Sequence, residues 1–244
     1  MEGKTIAFTN LKGGVGKTSI LQNVGAELFR QGKKILYVDA DPQQSLSLAL
    51  KSSAKFKSIY DVLTTGDLTG TIQKTSQGDL IKGDIRLFQI RELPGDRLKK
   101  SLTKVKYDYD FIMIDCPPTY NHIINNVLIA TDDVLIPCEA DLFSYQGLGT
   151  QERIINEVRK YNKNLKIRGI IVNKYESRSN RNKMILEQIR EKAEQMGTVV
   201  LTPIRKNVAI SKAQDHQMSV IEYDENSNGA NDIREIVREL LGNE

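Results

Sequence analysis

The sequence predicts an α/β fold: a single doubly wound, mostly parallel β-sheet flanked by helices. Three observations point there. Short β-branched runs alternate with helical segments along the chain. Most of those runs are continuously apolar, as strands buried on both faces of a parallel sheet are. A glycine-rich turn, LKGGVGKTS (11–19), joins the first strand to the first helix.

TIAFT (5–9) is the first strand, and the helix behind the glycine turn runs over 16–31 and stops at Gly32. KILYVD (34–39) is the second strand, followed by helices over 44–50 and 58–64. The stretch 51–84 carries no long apolar run and reads as short helices and loops. Further strands are IRLFQI (85–90), DFIMID (110–115), DVLIP (133–137), KIRGIIVN (166–173) and TVVLT (198–202). Helices are expected over 95–105, 120–130, 144–161, 179–196, 207–214 and 230–241. With no repeat, low-complexity tract or Pro- or Ser-rich linker, residues 1–244 read as one domain.

Composition narrows the setting. No apolar run reaches the length of roughly 20 residues that spans a bilayer, and the start, MEGKTIAFTN, lacks the features of a secretory signal. Two cysteines, Cys116 and Cys138, with no Cys-x-x-Cys pair, argue against a disulfide framework and for a reducing, cytoplasmic setting. The net charge of +4 is unevenly spread. Residues 151–220 hold 15 basic and 7 acidic side chains, whereas 222–244 hold 2 and 7. The basic segment fits either a polyanionic partner or a solvated helical surface.

The glycine turn has the chemistry of a phosphate loop. Gly13, Gly14 and Gly16, with Val15 between them, let backbone amides approach phosphate oxygens. The following helix N-terminus adds unpaired N–H donors, Ser19 included in its first turn. Lys17 is placed to reach β- and γ-phosphate oxygens, and the Thr18 hydroxyl to bind Mg²⁺. Two acidic strand ends face the same sheet edge. VDADPQQS (38–45) offers Asp39 and Asp41, and FIMIDCPP (111–118) offers Asp115. Asp41 fits either catalysis or capping of the helix over 44–50.

The loop departs from the common phosphate-loop pattern by Leu11 in place of glycine and by the extra Lys12. KGGVGKTS thereby resembles the deviant Walker A motif of the ParA/Soj partition ATPases and their MinD relatives. The segments IPCEADLFSYQGL (136–148) and TPIRKNVAISKAQDHQMSVIEYDENSNGA (202–230) extend the resemblance over nearly the whole chain. The second departs at Gln214 and Gln217, where the family turn carries Pro and Gly.

The resemblance implies an ATPase using ATP and Mg²⁺. It implies that Lys12 crosses a nucleotide-sandwich homodimer to the other subunit's phosphates, that Asp41 orients the attacking water, and that Asp39 and Asp115 lie at Mg²⁺ with Thr18. It places adenine near Asn173, Pro203 and Arg205. It further implies nonspecific DNA binding by the dimer, stimulation by a ParB-type partner and a nucleoid-associated location. Arg178, Arg181, Lys183, Arg205, Lys206 and Lys212 are the DNA contacts expected from the basic segment. With the phosphate loop beginning near residue 10, no N-terminal helix-turn-helix domain is expected.

Two other readings share the loop. A MinD-like membrane ATPase would carry a basic amphipathic C-terminal helix, but NDIREIVRELLGNE is acidic, and its Ile233, Ile236, Val237, Leu240 and Leu241 are expected to pack on the protein. An iron–sulfur reductase of the nitrogenase iron-protein kind would bridge a cluster through Cys116 and Cys138.

Overall fold

The computed structural model describes residues 2–242. Seven strands form its centre: β1 Lys4–Phe8, β2 Ile35–Asp39, β3 Ile72–Thr75, β4 Gly78–Ile81, β5 Phe111–Asp115, β6 Asp133–Glu139 and β7 Lys166–Asn173. Their order in the one sheet is β3-β4-β2-β5-β1-β6-β7. Every pairing is parallel except the β3–β4 hairpin at the edge. Ten helices connect or cover them within the described residues: α1 Lys17–Arg30, α2 Ser45–Ala49, α3 Ile59–Thr65, α4 Arg97–Thr103, α5 His122–Ala130, α6 Leu142–Val158, α7 Asn180–Gln195, α8 Val208–Asp215, α9 Val220–Tyr223 and α10 Asn228–Gly242.

The continuous apolar runs are explained by a core on each face. Ile112 and Ile114 of β5 join the cluster under α3 to α7, while Phe111 and Met113 join the one under α1 and α10. Period-two alternation therefore buries both halves of the strand. Helix α10 lays Ile233, Ile236, Val237 and Leu240 into the second core, with Leu241 partly buried against it.

Three expectations are corrected. IRLFQI (85–90) is not a strand: Ile85–Gln89 form a 3₁₀ turn. The Asp84 side chain accepts the Arg86 N–H to start it, and Leu87 is buried while Ile85 and Phe88 stand exposed. One inward residue per three suits a 3₁₀ turn and not a strand. The stretch 51–84 is not only helices and loops, because it contains β3 and β4. These four-residue strands, IQKT and GDLI, are too short to carry the apolar signature of the central ones, and Gly78 closes the hairpin at φ +130, where a Cβ would stand 2.8 Å from Ile35 O. TVVLT (198–202) meets the sheet only at an isolated Ile170–Val200 bridge. Val199 is exposed, and Pro203 cannot extend a hydrogen-bonded ladder.

Candidate nucleotide site

Strands β1, β2, β5, β6 and β7 all end on one edge of the sheet, and the sequence-derived site residues gather there, where ligands of open parallel sheets bind. The loop between β1 and α1 bends through Gly14 at φ +77 and Gly16 at φ +95. Both angles lie in the left-handed region that glycine alone enters freely. A cavity of about 810 Å³ opens over the loop, walled by Gly13, Gly16, Lys17, Thr18, Ser19 and Asp41 on one side and by α8 on the other. That volume suits a nucleotide-sized ligand.

Lys17 is buried at the cavity floor, its Nζ 3.4 Å from the Lys12 carbonyl. Thr18 Oγ1 donates to Asp115 Oδ2 at 2.6 Å. The second Asp115 oxygen, Oδ1, is buried without a hydrogen-bond partner. Burial, reinforced by the Asp39 charge, pushes the Asp115 carboxyl well above its ordinary value, against the pull of Thr18 and Lys17. An orphaned buried carboxylate oxygen beside a threonine hydroxyl is chemistry that fits a magnesium ion. Among the described residues no three His, Cys, Asp or Glu side chains gather as a metal cage. Mg²⁺ bound to phosphates needs only one or two protein ligands and keeps several waters, so the donor set still fits.

Asp39 is fully buried and anchors the chain. One oxygen accepts Ser47 N and Ser47 Oγ at 2.8 and 2.6 Å, and the other accepts Asp41 N at 3.2 Å. Burial raises its carboxyl to about 6, opposed by those Ser47 bonds. Asp39 thus shapes the segment that carries Asp41, and it stands in register with Asp115 on the neighbouring strand. Asp41 lines the cavity and accepts Gln43 N at 2.9 Å. The capping alternative for Asp41 does not hold: the residue preceding α2 is Gln44, in the left-handed region, and no side chain caps the helix.

Lys12 is folded back onto its own subunit. Its Nζ contacts Asp141 Oδ2 at 2.6 Å, Ser144 Oγ at 3.3 Å and Glu139 Oε2 at 3.7 Å. Asp141 also caps α6 by accepting Ser144 N. Although burial opposes it, the Lys12 ammonium holds the Asp141 carboxyl below its ordinary value.

Of the residues assigned to adenine, Asn173 and Arg205 line the cavity and Pro203 does not line it. Both cavity residues are already engaged. Asn173 Nδ2 donates to Val15 O, and Arg205 makes a forked pair with Asp232, as close as 2.6 Å. The six basic residues assigned to DNA are all exposed, on the segment after β7, the start of α7, the segment before α8 and α8 itself. Arg205 is tied to Asp232 and Lys206 to Glu176, whereas no ion pair among the described residues engages Arg178, Arg181, Lys183 or Lys212. Cys116 and Cys138 are fully buried in one core, and burial pushes the Cys138 thiol up to about 12. Such thiols do not present a thiolate to a cluster shared between subunits.

Sequence reasoning missed Glu139, Asp141 and Lys174. Glu139 ends β6 and Asp141 follows it at the ligand edge, and Lys174 directly follows β7, so position at a strand end was the available signal.

An AAA domain family model matches residues 3–167. The chain is 35% identical to the chromosome-partitioning ATPase Soj of Treponema pallidum, over 98% of this chain and 97% of that one. It is 34% identical to the sporulation initiation inhibitor protein Soj of Bacillus subtilis, over 99% of each chain. Among solved structures, cobyrinic acid a,c-diamide synthase from Mycobacterium smegmatis with bound ADP and magnesium superposes with a TM-score of 0.81. That similarity is at 28% identity over 98% of this chain and 94% of the other. The deviant phosphate loop, its buried carboxylates and the full-length similarity to both Soj proteins agree: the chain belongs to the ParA/Soj family of P-loop ATPases.

Proposed function

We propose that this chain is a partition ATPase that binds Mg²⁺ and ATP, closes into a nucleotide-sandwich homodimer, binds DNA nonspecifically in that state and is stimulated by a ParB-type partner. The observation that carries the reading is the convergence of Lys17, Thr18 and Asp41 on one cavity over a left-handed glycine loop, with the half-satisfied Asp115 buried behind Thr18 and hydrogen-bonded to it. Similarity at full length to a chromosome-partitioning ATPase supports the biological role. Similarity to a synthase is at the lower identity of 28%.

In this reading the loop amides and Lys17 receive the β- and γ-phosphates. Thr18 and Asp115, with Asp39 beside them, would hold the magnesium ion, which would supply positive charge to the phosphates. Asp41, anchored through Asp39, orients the attacking water. Lys12 leaves Asp141 and reaches the partner's phosphates, adding positive charge where negative charge develops. Arg178, Arg181, Lys183 and Lys212 supply phosphate contacts to DNA, with Arg205 and Lys206 available once their carboxylate partners yield.

The test is DNA binding against salt with ATP, ADP or no nucleotide, for the wild type, Lys17→Ala and Asp41→Ala. Binding is expected only with ATP, to be lost in Lys17→Ala, and to persist in Asp41→Ala while hydrolysis stops. If six to ten contacts form, affinity falls roughly 10³- to 10⁵-fold between 50 and 200 mM salt. DNA binding indifferent to nucleotide would refute the coupling, and normal turnover by Asp41→Ala would falsify its role.

A further inference from the structure

The phosphate loop is held by the end of β7, whose Asn173, with Lys174 after it, lines the same cavity. Asn173 Nδ2 donates to the Val15 carbonyl at 2.9 Å, and Lys174 Nζ donates to the Gly14 carbonyl at 3.0 Å. Two consecutive carbonyls of the loop are therefore pinned by two consecutive residues of one strand end. The contact is close enough that a Cβ on Gly16 would stand 2.2 Å from Asn173 Nδ2.

The pinning residues are themselves fixed. Asn173 is buried, and its Oδ1 accepts Lys174 N at 2.9 Å. Lys174 Nζ is shared with Glu139 Oε1 at 2.7 Å. Its backbone sits at φ +52, a left-handed conformation that non-glycine residues adopt only where the surroundings impose it. Strain of that kind collects at ligand sites because it sets geometry in advance.

In a trans peptide the carbonyl and the following N–H point in opposite directions. Pinning the Gly14 and Val15 carbonyls thus fixes the direction of the Val15 and Gly16 N–H groups, two donors of the loop. A loop already oriented does not reorganise when phosphate arrives, and this is the general origin of tight anion binding by backbone amides.

We propose that Asn173 and Lys174 are positioning residues for the polyphosphate half of the ligand: they hold the loop carbonyls so that its amides face the phosphates. The inference rests on the nucleotide reading above. It separates from that reading because the two roles respond to different ligands.

The experiment measures dissociation constants of Mg-ATP and of inorganic tripolyphosphate for the wild type, Asn173→Ala and Lys174→Met, with thermal melts as a folding control. Tripolyphosphate has no base. Asn173→Ala is expected to weaken both ligands by the same factor, about five- to thirtyfold, the scale of a lost hydrogen bond that leaves a buried carbonyl unsatisfied. Lys174→Met, which keeps most of the side-chain stem, is expected to weaken both about three- to tenfold and carries the test if Asn173→Ala does not fold. Loss of ATP affinity with tripolyphosphate affinity unchanged would assign Asn173 to the base and overturn the proposal. Unchanged affinity for both ligands in both variants would overturn it too. A wild-type protein that binds neither ligand would instead remove the nucleotide reading.

Discussion

Alanine substitutions at the three loop glycines test the geometry without any ligand. A Cβ added at Gly13 would meet no atom within 4 Å, and the backbone there is not left-handed, so Gly13→Ala is expected to change stability by less than about 0.5 kcal/mol. Gly14 has equal space but lies at φ +77, so Gly14→Ala costs about 1–2 kcal/mol of backbone strain. Gly16 has φ +95 and the 2.2 Å approach of Asn173 Nδ2. Its alanine adds to the strain the displacement of Asn173 and the loss of its bond to Val15, for a total of about 2–4 kcal/mol. For a domain of this size each kcal/mol lowers the melting temperature by about 2–4 °C. Melts of the nucleotide-free proteins should therefore fall in the order Gly13→Ala, Gly14→Ala, Gly16→Ala, the last lower by about 5–15 °C. Adding Asn173→Ala to Gly16→Ala should cost less than the two single changes summed, since each removes the same contact. A Gly16→Ala melt within 2 °C of the wild type, taking about 2 °C as the smallest informative shift, or strict additivity in the double variant, would refute the clamp geometry.

Two further predictions concern charge. Although burial opposes it, the Asp84 carboxyl is brought down to about 2 by hydrogen bonds from Arg86 and Ser58. Its folded value lies below the ordinary one, so its stabilisation is present above about pH 4 and is lost as pH falls toward 2. In urea melts, Asp84→Asn should be less stable than the wild type by about 2 kcal/mol near neutrality, a gap that closes below pH 4; a pH-independent gap would contradict this. Asp141→Asn should release Lys12 while keeping the α6 cap, since Asn caps as well as Asp. Both partners of that pair are about a third exposed, so folding stability should drop by less than about 1 kcal/mol. With a non-hydrolysable ATP analogue, sedimentation should show dimers at lower protein concentration than for the wild type; a weaker dimer would show that Asp141 serves the interface instead.

The central sheet was legible because its signals are local and strong. Runs such as FIMID and ILYVD are apolar at every position before the closing aspartate, as strands buried on both faces are, and their alternation with helical segments marks them as strands. The β3–β4 hairpin was not legible, since an edge strand such as IQKT needs burial on only part of its surface. TVVLT looked like a strand by composition, yet a strand exists only where a neighbour offers a ladder, and beyond β7 that pairing is one bridge long.

The sequence by itself determined the chemistry of the phosphate loop, because glycine spacing, Lys17 and Thr18 act within one turn of chain. It also determined the strand ends that deliver Asp39, Asp41 and Asp115. Tertiary structure alone decided what each side chain does with its neighbours. Asp39 is spent on Ser47, Lys12 is held by Asp141 across 129 positions, and Asn173 reaches back 158 positions to Val15. Hydrogen bonds between groups so far apart in the chain depend on the register of β1, β6 and β7 in the sheet, and register is a property of the packed whole.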